Sequence, residues 1–301
     1  MPRDDSLARA FEKERPRLLR VAYTTTGSLA EAEDCVQESW LRLRRVPDPG
    51  AIPDLRAWLT TVVGRLALDA LGSARSRRER YVGTWLPEPL VERTAPGAAV
   101  APGPAEQVTL DESVSMALLV VLDELSPAQR TAFLLHDVFG LPYERVAEVV
   151  GRTPGAVRRL ASIARRHVEQ SRPHAPAPRA EQRRLVHAFA AACQSADLEE
   201  LVRLLDPEVT WRGDGGGLVA ALPGAVRGAR QVAAGLVAFG GGPLPPGTMR
   251  VVTVNGAAGL LLYGPEGEVS VAAFTVDRGR ITAIDVQRNP EKLTSVRFPE
   301  R

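Results

Sequence analysis

The residues best suited to binding chemistry in this chain are arginines. Nine arginines lie between positions 152 and 184, opposed by Glu169 and Glu181. Four more precede the middle of the chain: Arg75, Arg77, Arg78 and Arg80. The net charge of the whole chain is only +2, so positive charge is concentrated in these two stretches. They suggest two surfaces that face a polyanion, although such a charge run by itself more often indicates solvated helix faces.

Residues 126–168 predict the elements that position the second stretch. Ser126-Pro127 starts one helix, Gly140 ends it, residues 142–150 form another, and Thr153-Pro154 caps a third that runs to about Glu169. Apolar residues recur on one side of the third helix, and the opposite side carries Arg158, Arg159, Ser162, Arg165 and Arg166. The pattern favours a DNA-binding helix-turn-helix over a plain helical hairpin, with the first arginines at base edges and the later ones at phosphates.

Composition divides the chain into four segments. Residues 6–80 and 106–171 have helical periodicity, and residues 81–105 form a proline-rich linker that contains Trp85 and Leu86. Residues 180–301 open with a helix at 181–196 and continue with β-type runs at 209–211, 250–254, 260–263, 269–276 and 281–286. We predict two all-α domains followed by an α+β domain with antiparallel strands, and a linker that docks because it carries a tryptophan.

The remaining composition excludes several classes of protein. Cys35 and Cys193 lie far apart, without the spacing of a structural zinc site. No apolar run reaches the length of a membrane span, and the charged start has no signal-peptide core. We therefore predict a cytoplasmic protein without a metal or other cofactor and without a membrane partner.

Two helical segments resemble the extracytoplasmic-function sigma factors of bacterial RNA polymerase. The run Glu33-Asp34-Cys35-Val36-Gln37-Glu38 is similar to the acidic helix with which region 2 binds core polymerase, which implies polymerase contacts for Glu33, Asp34, Gln37 and Glu38. Residues 54–80 resemble the helix that helps melt the −10 element, which implies DNA contacts for Arg75, Arg77, Arg78 and Arg80. Residues 126–170 resemble region 4, which reads the −35 element. The implied partners are core RNA polymerase and promoter DNA.

Three motifs resemble the subgroup called group 41, which carries a C-terminal SnoaL-like domain, a cone of one curved antiparallel sheet with helices. They are the WLPEP sequence of residues 85–89, the DGGG sequence of 214–217, and residues 289–293, where Glu291 replaces the usual aspartate. The resemblance implies that this domain regulates in place of a separate anti-sigma protein. We expect an interdomain site formed by Trp85, Leu86, Pro87, Asp214, Gly215, Gly216, Gly217, Asn289, Pro290, Lys292 and Leu293, with Trp85 as its buried anchor.

Two alternatives remain. A cone-fold enzyme would draw on Asp197, Trp211, Asp214 or Tyr263, but no acid–base pair has a recognisable spacing, so we predict no catalytic residue. A one-component regulator would combine the helix-turn-helix with a ligand-sensing domain and would not contact polymerase. The acidic helix favours the sigma factor, and an unidentified small ligand of the last domain stays open.

Overall fold

A computed structural model describes residues 2–78, 81, 83–92, 114–171, 177–222, 224–240, 244–245, 247–264 and 267–296. The chain forms two compact units, which do not follow the four predicted segments one by one. Unit 1 comprises Met1–Glu79, Val100–Glu112 and Val121–Ser171, and unit 2 comprises Arg80–Ala99, Ser113–Val120 and Arg172–Arg301. Most of both helical segments therefore lies in unit 1, whereas the linker residues 81–92 and residues Ser113–Val120 lie in unit 2 with the C-terminal domain.

The first helical block consists of three helices. They are α1 (Pro2–Thr26), α2 (Leu29–Arg44) and α3 (Leu55–Arg78), with a 3-10 turn at Pro49–Ala51. The Ser28 side chain caps α2 by accepting a hydrogen bond from the Glu31 amide. Leu18, Leu19 and Leu59 are fully buried, so the apolar stripes of α1 and α3 face a common core.

The second helical block has the predicted helix-turn-helix. Its helices are α4 (Met116–Asp123), α5 (Pro127–Phe133), α6 (Tyr143–Val150) and α7 (Pro154–Ser171), with a π-helical turn at Leu134–Val138. Ser126 and Gln129 form a complete capping box at the start of α5. Gly151 has φ of +68° at the end of α6, a conformation that glycine adopts without strain.

The two helical blocks pack directly on each other within unit 1. Gly64 of α3 lies so close to the helix-turn-helix that a Cβ there would come 3.1 Å from Cδ1 of Leu135 and 3.5 Å from Cγ1 of Val149. Arg20 of α1 lies over the Phe139 ring, 5.5 Å from its centroid. The sequence predicted these blocks as separate domains, but glycine at position 64 allows α3 and α6 to approach closely.

The C-terminal domain in unit 2 is α+β. Its helices are α8 (Arg179–Ser195), α9 (Leu198–Leu204) and α10 (Ala229–Gly240). Its strands are β1 (Leu205–Asp214), β2 (Val226–Arg227), β3 (Met249–Val254), β4 (Ala257–Tyr263), β5 (Val269–Asp277) and β6 (Arg280–Gln287). A 3-10 turn at Pro290–Lys292 follows β6. The pattern analysis missed α9, α10 and the two-residue strand β2.

One sheet contains all six strands, in the order β2-β1-β6-β5-β4-β3. The strands pair antiparallel, as predicted, except that β1 and β6 pair in parallel. One sheet face packs on the helices through a core that includes Phe189, Trp211, Phe274 and Ile284. Because side chains alternate along a strand, Asp285 and Gln287 of β6 belong to the opposite face.

Candidate functional site

The exposed side of α7 carries the arginines that the sequence singled out. Arg158, Arg159 and Arg166 are exposed, whereas Ser162 and Arg165 are partly buried. Val157, Ala161, Ala164 and Val168 lie in the core. The first turn of α7 begins beside exposed Arg152 and Thr153, which the sequence analysis did not include among the DNA-binding residues. This helix can therefore present a basic, hydrogen-bonding surface to a DNA groove.

Two of these arginines are held by contacts from the rest of the helix-turn-helix. The guanidinium of Arg158 lies 5.1 Å from the centre of the Tyr143 ring, which itself stacks on His136 at 3.7 Å. The Nε atom of Arg165 donates to Oδ1 of Asp137 at 2.8 Å. Arg158 is thus stacked yet exposed, while part of the charge of Arg165 is neutralised locally.

The acidic helix α2 exposes one side of its charged run. Asp34 and Gln37 are exposed, Glu33 and Glu38 are partly buried, and Cys35 and Val36 face the core. Glu38 accepts a hydrogen bond from Nε of Arg42 at 3.0 Å. Arg75, Arg77 and Arg78 fall within the last turns of α3, but their side chains and all of Arg80 lie outside the described residues.

Asp214, at the end of β1, is the centre of a buried polar cluster. Its side chain is fully buried and forms an ion pair with Nζ of Lys292 at 2.7 Å. The carboxylate accepts four further hydrogen bonds, from the Tyr81 hydroxyl (2.6 Å), the Leu86 amide (2.8 Å), the Gly216 amide (3.0 Å) and Nε2 of Gln287 (3.1 Å). We call these residues the Asp214 cluster. A buried charge with this many donors is stable only while all of them stay in place.

Residues of the linker and of the C-terminal domain meet in this cluster. Lys292 also donates to the Leu86 carbonyl at 2.8 Å, and Nδ2 of Asn289 donates to the Tyr81 hydroxyl at 2.8 Å. Burial, followed by the hydrogen bond to Asp214, raises the pKa of the Tyr81 hydroxyl above its ordinary value. Tyr81 therefore remains a protonated donor at neutral pH.

The glycines of the DGGG motif allow this close packing. Gly216 has φ of +65°, and a Cβ there would overlap the Asn289 side chain. A Cβ on Gly215 would overlap the Val219 carbonyl oxygen. Gly217 is exposed with φ of +72°, Pro290 is exposed, and Leu293 is buried. The structure therefore brings the motif at 214–217 and the motif at 289–293 together.

The expectation that Trp85 is the buried anchor of the linker is wrong. Trp85 is only partly buried and lies 4.0 Å from Nζ of Lys292, which sits over its ring. Leu86 is 1 % exposed, and Pro87 is buried as well. Tryptophan covers the rim because its large ring can stack on the lysine, whereas the smaller leucine enters the interior.

Beyond the Asp214 cluster, the linker runs across the sheet. Nε2 of Gln287 in β6 donates to the carbonyl oxygens of Leu86 and Pro87, and five residues later Val91 pairs with Val254 of β3. Three strand spacings separate β6 from β3, or about 14 Å, and five extended residues span roughly 17 Å. Because residues 86–90 are buried, the linker crosses the face opposite the helices.

Comparison with known proteins identifies these elements. The sigma-70 region 2 model matches residues 10–77, and the sigma-70 region 4 model matches residues 115–168. The ECF RNA polymerase sigma factor SigJ of Mycobacterium tuberculosis is 42 % identical over 97 % of this chain and 94 % of its own length. The chain belongs to the ECF RNA polymerase sigma factors.

Two further similarities extend over the whole ECF sigma factor chain. A probable ECF sigma factor of M. tuberculosis, SigI, is 36 % identical over 99 % of this chain and 98 % of its own. The crystal structure of M. tuberculosis SigJ superposes with a TM-score of 0.81 at 38 % identity, covering 97 % of this chain and all of that one. The family resemblance and the predicted fold class, two helical sigma regions followed by an α+β domain, are confirmed.

Sequence reasoning missed several residues of this ECF sigma factor that the structure singles out. Tyr81 and Gln287 complete the Asp214 cluster, Tyr143 supports Arg158, and Arg130 joins the two sigma regions. Of these four residues, Tyr81 and Gln287 could have been found from the sequence, since each lies beside a recognised motif. The other two form long-range contacts that leave no periodic pattern.

Three of the four residues considered for an enzyme, Asp197, Trp211 and Asp214, have structural positions. The Asp197 side chain caps α9 by accepting from the Glu200 amide at 3.0 Å. Trp211 is 4 % exposed in the core, and Asp214 is occupied by its donors. The residues that the structure describes contain no cluster of three metal-ligating side chains, and none of their helices is long and apolar enough to span a bilayer.

Proposed function

We propose that this sigma factor reads promoters through α7 and α3, binds core polymerase through α2, and is restrained by its C-terminal domain through the linker. The Asp214 cluster is the observation that carries this proposal. It joins Tyr81 and Leu86 of the linker to Gln287 and Lys292 of the C-terminal domain, and Asn289 adds a hydrogen bond to the Tyr81 hydroxyl.

The exposed side chains divide the binding work between two partners. Arg158 and Arg159 are exposed near the start of α7, where a recognition helix contacts base edges, and Arg166 lies two turns later, where phosphate contacts are typical. Asp34 and Gln37 are exposed on α2 and suit a basic surface of the polymerase. We place Arg75, Arg77, Arg78 and Arg80 on the backbone of the −10 element, as the family resemblance implies.

We interpret the packing of the two helical blocks on each other in unit 1 as a resting conformation of the sigma factor. By their designations the −35 and −10 elements lie about 25 base pairs apart, which is roughly 85 Å along straight duplex at about 3.4 Å a base pair. The α3 helix has 24 residues and is therefore about 36 Å long. Its contact with Leu135 and Val149 keeps the two DNA-binding blocks adjacent. Both elements are engaged together only after this contact opens.

The C-terminal domain acts as a regulator and not as a catalyst in this proposal. Asp197, Trp211 and Asp214, three of the four residues considered for an enzyme, take part in capping, core packing and the Asp214 cluster. We place the protein in the cytoplasm, where core polymerase is found. Restraint of the linker explains how a fused domain substitutes for a separate anti-sigma protein.

A small ligand of the C-terminal domain is a second candidate for control of the same switch. Among the described residues, the indole Nε1 of Trp211 is buried without a hydrogen-bond partner. Buried polar groups are usually paired, so a molecule with an acceptor atom would satisfy this donor. Its binding would shift the domain between linker-bound and released forms according to its difference in affinity.

Run-off transcription with purified core polymerase tests the proposal. The full-length wild-type chain, Asp214→Asn and Asp206→Asn are compared on one two-element promoter. Asp206 lies on the same strand but caps only a local turn, so it is the matched control. We expect promoter-specific transcripts from all three and a higher yield from Asp214→Asn. Absence of any transcript contradicts the sigma-factor assignment, and equal yields contradict restraint through Asp214.

A further inference from the structure

Asn255 forms a second attachment point, at the far end of the linker. It lies in the turn between β3 and β4, where Asn255 and Gly256 have φ of +48° and +74°. Its side chain is 2 % exposed. Asparagine and glycine are the residues that favour such a turn, so the hairpin alone accounts for the backbone conformation. It does not account for where the Asn255 side chain is directed.

That side chain binds two segments that are distant in sequence. Its Oδ1 accepts a hydrogen bond from the Leu90 amide at 3.0 Å, and its Nδ2 donates to the Val114 carbonyl at 3.3 Å. Two backbone hydrogen bonds accompany these contacts. The backbone amide of Asn255 donates to the Leu90 carbonyl at 2.8 Å, and the backbone amide of Glu92 donates to the Thr253 carbonyl at 2.9 Å. Leu90 belongs to the linker after region 2, and Val114 directly precedes α4, where region 4 begins.

We propose that Asn255 is a clasp that holds both ends of the chain segment connecting region 2 to region 4. Leu90 and Val114 lie within the reach of one side-chain amide, so the ends of this segment are less than about 10 Å apart. The segment from Leu90 to Val114 would span up to roughly 80 Å if it were fully extended. While the clasp is closed, region 4 cannot move away from region 2 by the full length of that segment.

The clasp is separate from the Asp214 cluster. Asp214 binds Tyr81 and Leu86 at one end of the described linker, whereas Asn255 binds Leu90 at the other. The Asn255 side chain contacts residues on both sides of the connecting segment, Leu90 and Val114. Release of Asn255 therefore lengthens the reach of region 4 even when the Asp214 cluster stays intact. This inference rests on the proposed function, because it concerns how far the two DNA-binding regions can separate.

The variant Asn255→Gly removes both side-chain hydrogen bonds of the clasp and keeps the turn, because glycine adopts positive φ without strain. Asn255→Asp keeps the acceptor for the Leu90 amide and removes the donor to Val114. Arg278→Gly is the matched control, since Arg278 occupies a positive-φ turn position (φ +48°) between β5 and β6. Circular dichroism and thermal unfolding establish that each full-length variant is folded.

Amide hydrogen exchange of the full-length chain is the direct measurement. We expect Asn255→Gly to raise the opening equilibrium of peptides covering 88–92 and 114–118 by roughly 5- to 30-fold, the effect of losing two net hydrogen bonds. Peptides covering 81–86 keep their protection. Asn255→Asp should raise the amide exchange of the peptide covering 114–118 more than that of the peptide covering 88–92. Unchanged exchange in both peptides of Asn255→Gly overturns the clasp.

Run-off transcription then tests its consequence. At limiting sigma factor, Asn255→Gly should give several-fold more transcript than the wild type on a two-element promoter, and Arg278→Gly should match the wild type. Faster amide exchange in Asn255→Gly without a change in its transcript yield overturns the link between the clasp and the separation of regions 2 and 4 on the promoter. Absence of transcription from the wild type as well would instead contradict the proposed function, so the two failures are distinguishable.

Discussion

Arg130 at the start of the helix-turn-helix donates two hydrogen bonds to the carbonyl oxygen of Thr24, a residue 106 positions earlier in the chain. The distances are 2.9 Å from Nη2 and 3.2 Å from Nε. Thr24 lies in the last turn of α1, where helix carbonyls lack partners within the helix. A guanidinium at this end also matches the negative pole of the helix dipole. Arg130 thereby caps a region 2 helix from region 4.

Replacement of Arg130 should loosen the closed form of unit 1. The side chain is 1 % exposed and also pairs with Asp123 at 3.2 Å. Arg130→Met keeps much of the volume but leaves the Thr24 carbonyl and Asp123 without this donor, which costs about 2–4 kcal/mol. We expect a lower midpoint in urea and a larger distance between labels placed on α2 and α6. Arg145→Met, which removes an exposed pair with Glu148, is the control. A label distance equal to that of the wild type would show that Arg130 does not hold the closed form.

The start and the middle of α7 should differ in their effect on DNA binding. Arg158→Ala or Arg159→Ala should change discrimination among −35 sequences by about 1–3 kcal/mol, because bidentate base contacts carry specificity. Arg166→Ala should weaken all sequences alike and lower the dependence of log K on log salt by about one. Competition binding of several −35 duplexes at a series of salt concentrations measures both effects. Unaltered sequence preference in both early variants would contradict our orientation of the recognition helix.

The supporting contact on Arg158 can be tested in the same assay. Tyr143→Phe keeps the ring beneath the guanidinium, whereas Tyr143→Leu removes it. If the stacked ring orients Arg158, only the leucine variant should lose −35 discrimination. Equal discrimination in the two variants would show that Arg158 needs no support from this ring.

Asp34 and Glu38 should contribute to polymerase binding without stabilising the fold. Asp34 is exposed, and Glu38 is only partly buried and pairs with Arg42 on the surface. Surface pairs of this kind contribute about 0–1 kcal/mol to folding. We expect Asp34→Ala and Glu38→Ala to raise the dissociation constant for core polymerase while thermal unfolding stays near that of the wild type. Unchanged affinity in both variants would remove α2 from the polymerase interface.

The sequence was sufficient for the features that depend on local pattern. The helix start at Ser126-Pro127, the turn at Gly151 and the apolar side of α7 follow from residue types at fixed spacing, and the structure has them at those positions. The motif resemblances also identified Asp214 and Asn289 as neighbours. Contacts such as Arg130 with Thr24 or Asn255 with Val114 were beyond prediction, because an arginine or asparagine has the same local appearance whether it is solvated or buried. The partial exposure of Trp85 likewise depends on Lys292, which is distant in sequence.

Gly216 gives the most selective test of the Asp214 cluster. Alanine at φ of +65° costs about 1–2 kcal/mol from the backbone alone, and its Cβ would also overlap Asn289. Gly247 has φ of +88° with nothing within 4 Å of a Cβ, so Gly247→Ala measures the backbone effect by itself. We expect Gly216→Ala to lower the free energy of unfolding more than Gly247→Ala does. It should also expose the Leu86 amide to hydrogen exchange, since displacement of Asn289 removes a donor to the Tyr81 hydroxyl.

A double-mutant cycle separates overlap from strain in that comparison. In an Asn289→Ala background the new methyl group at position 216 has no amide to displace, so the additional effect of Gly216→Ala should fall to about that of Gly247→Ala. The coupling energy, measured by urea unfolding of the four full-length proteins, reports the Gly216–Asn289 contact directly. A coupling near zero would mean that alanine at position 216 is destabilising through its backbone only. The DGGG glycines would then be required for the turn and not for the attachment of the linker.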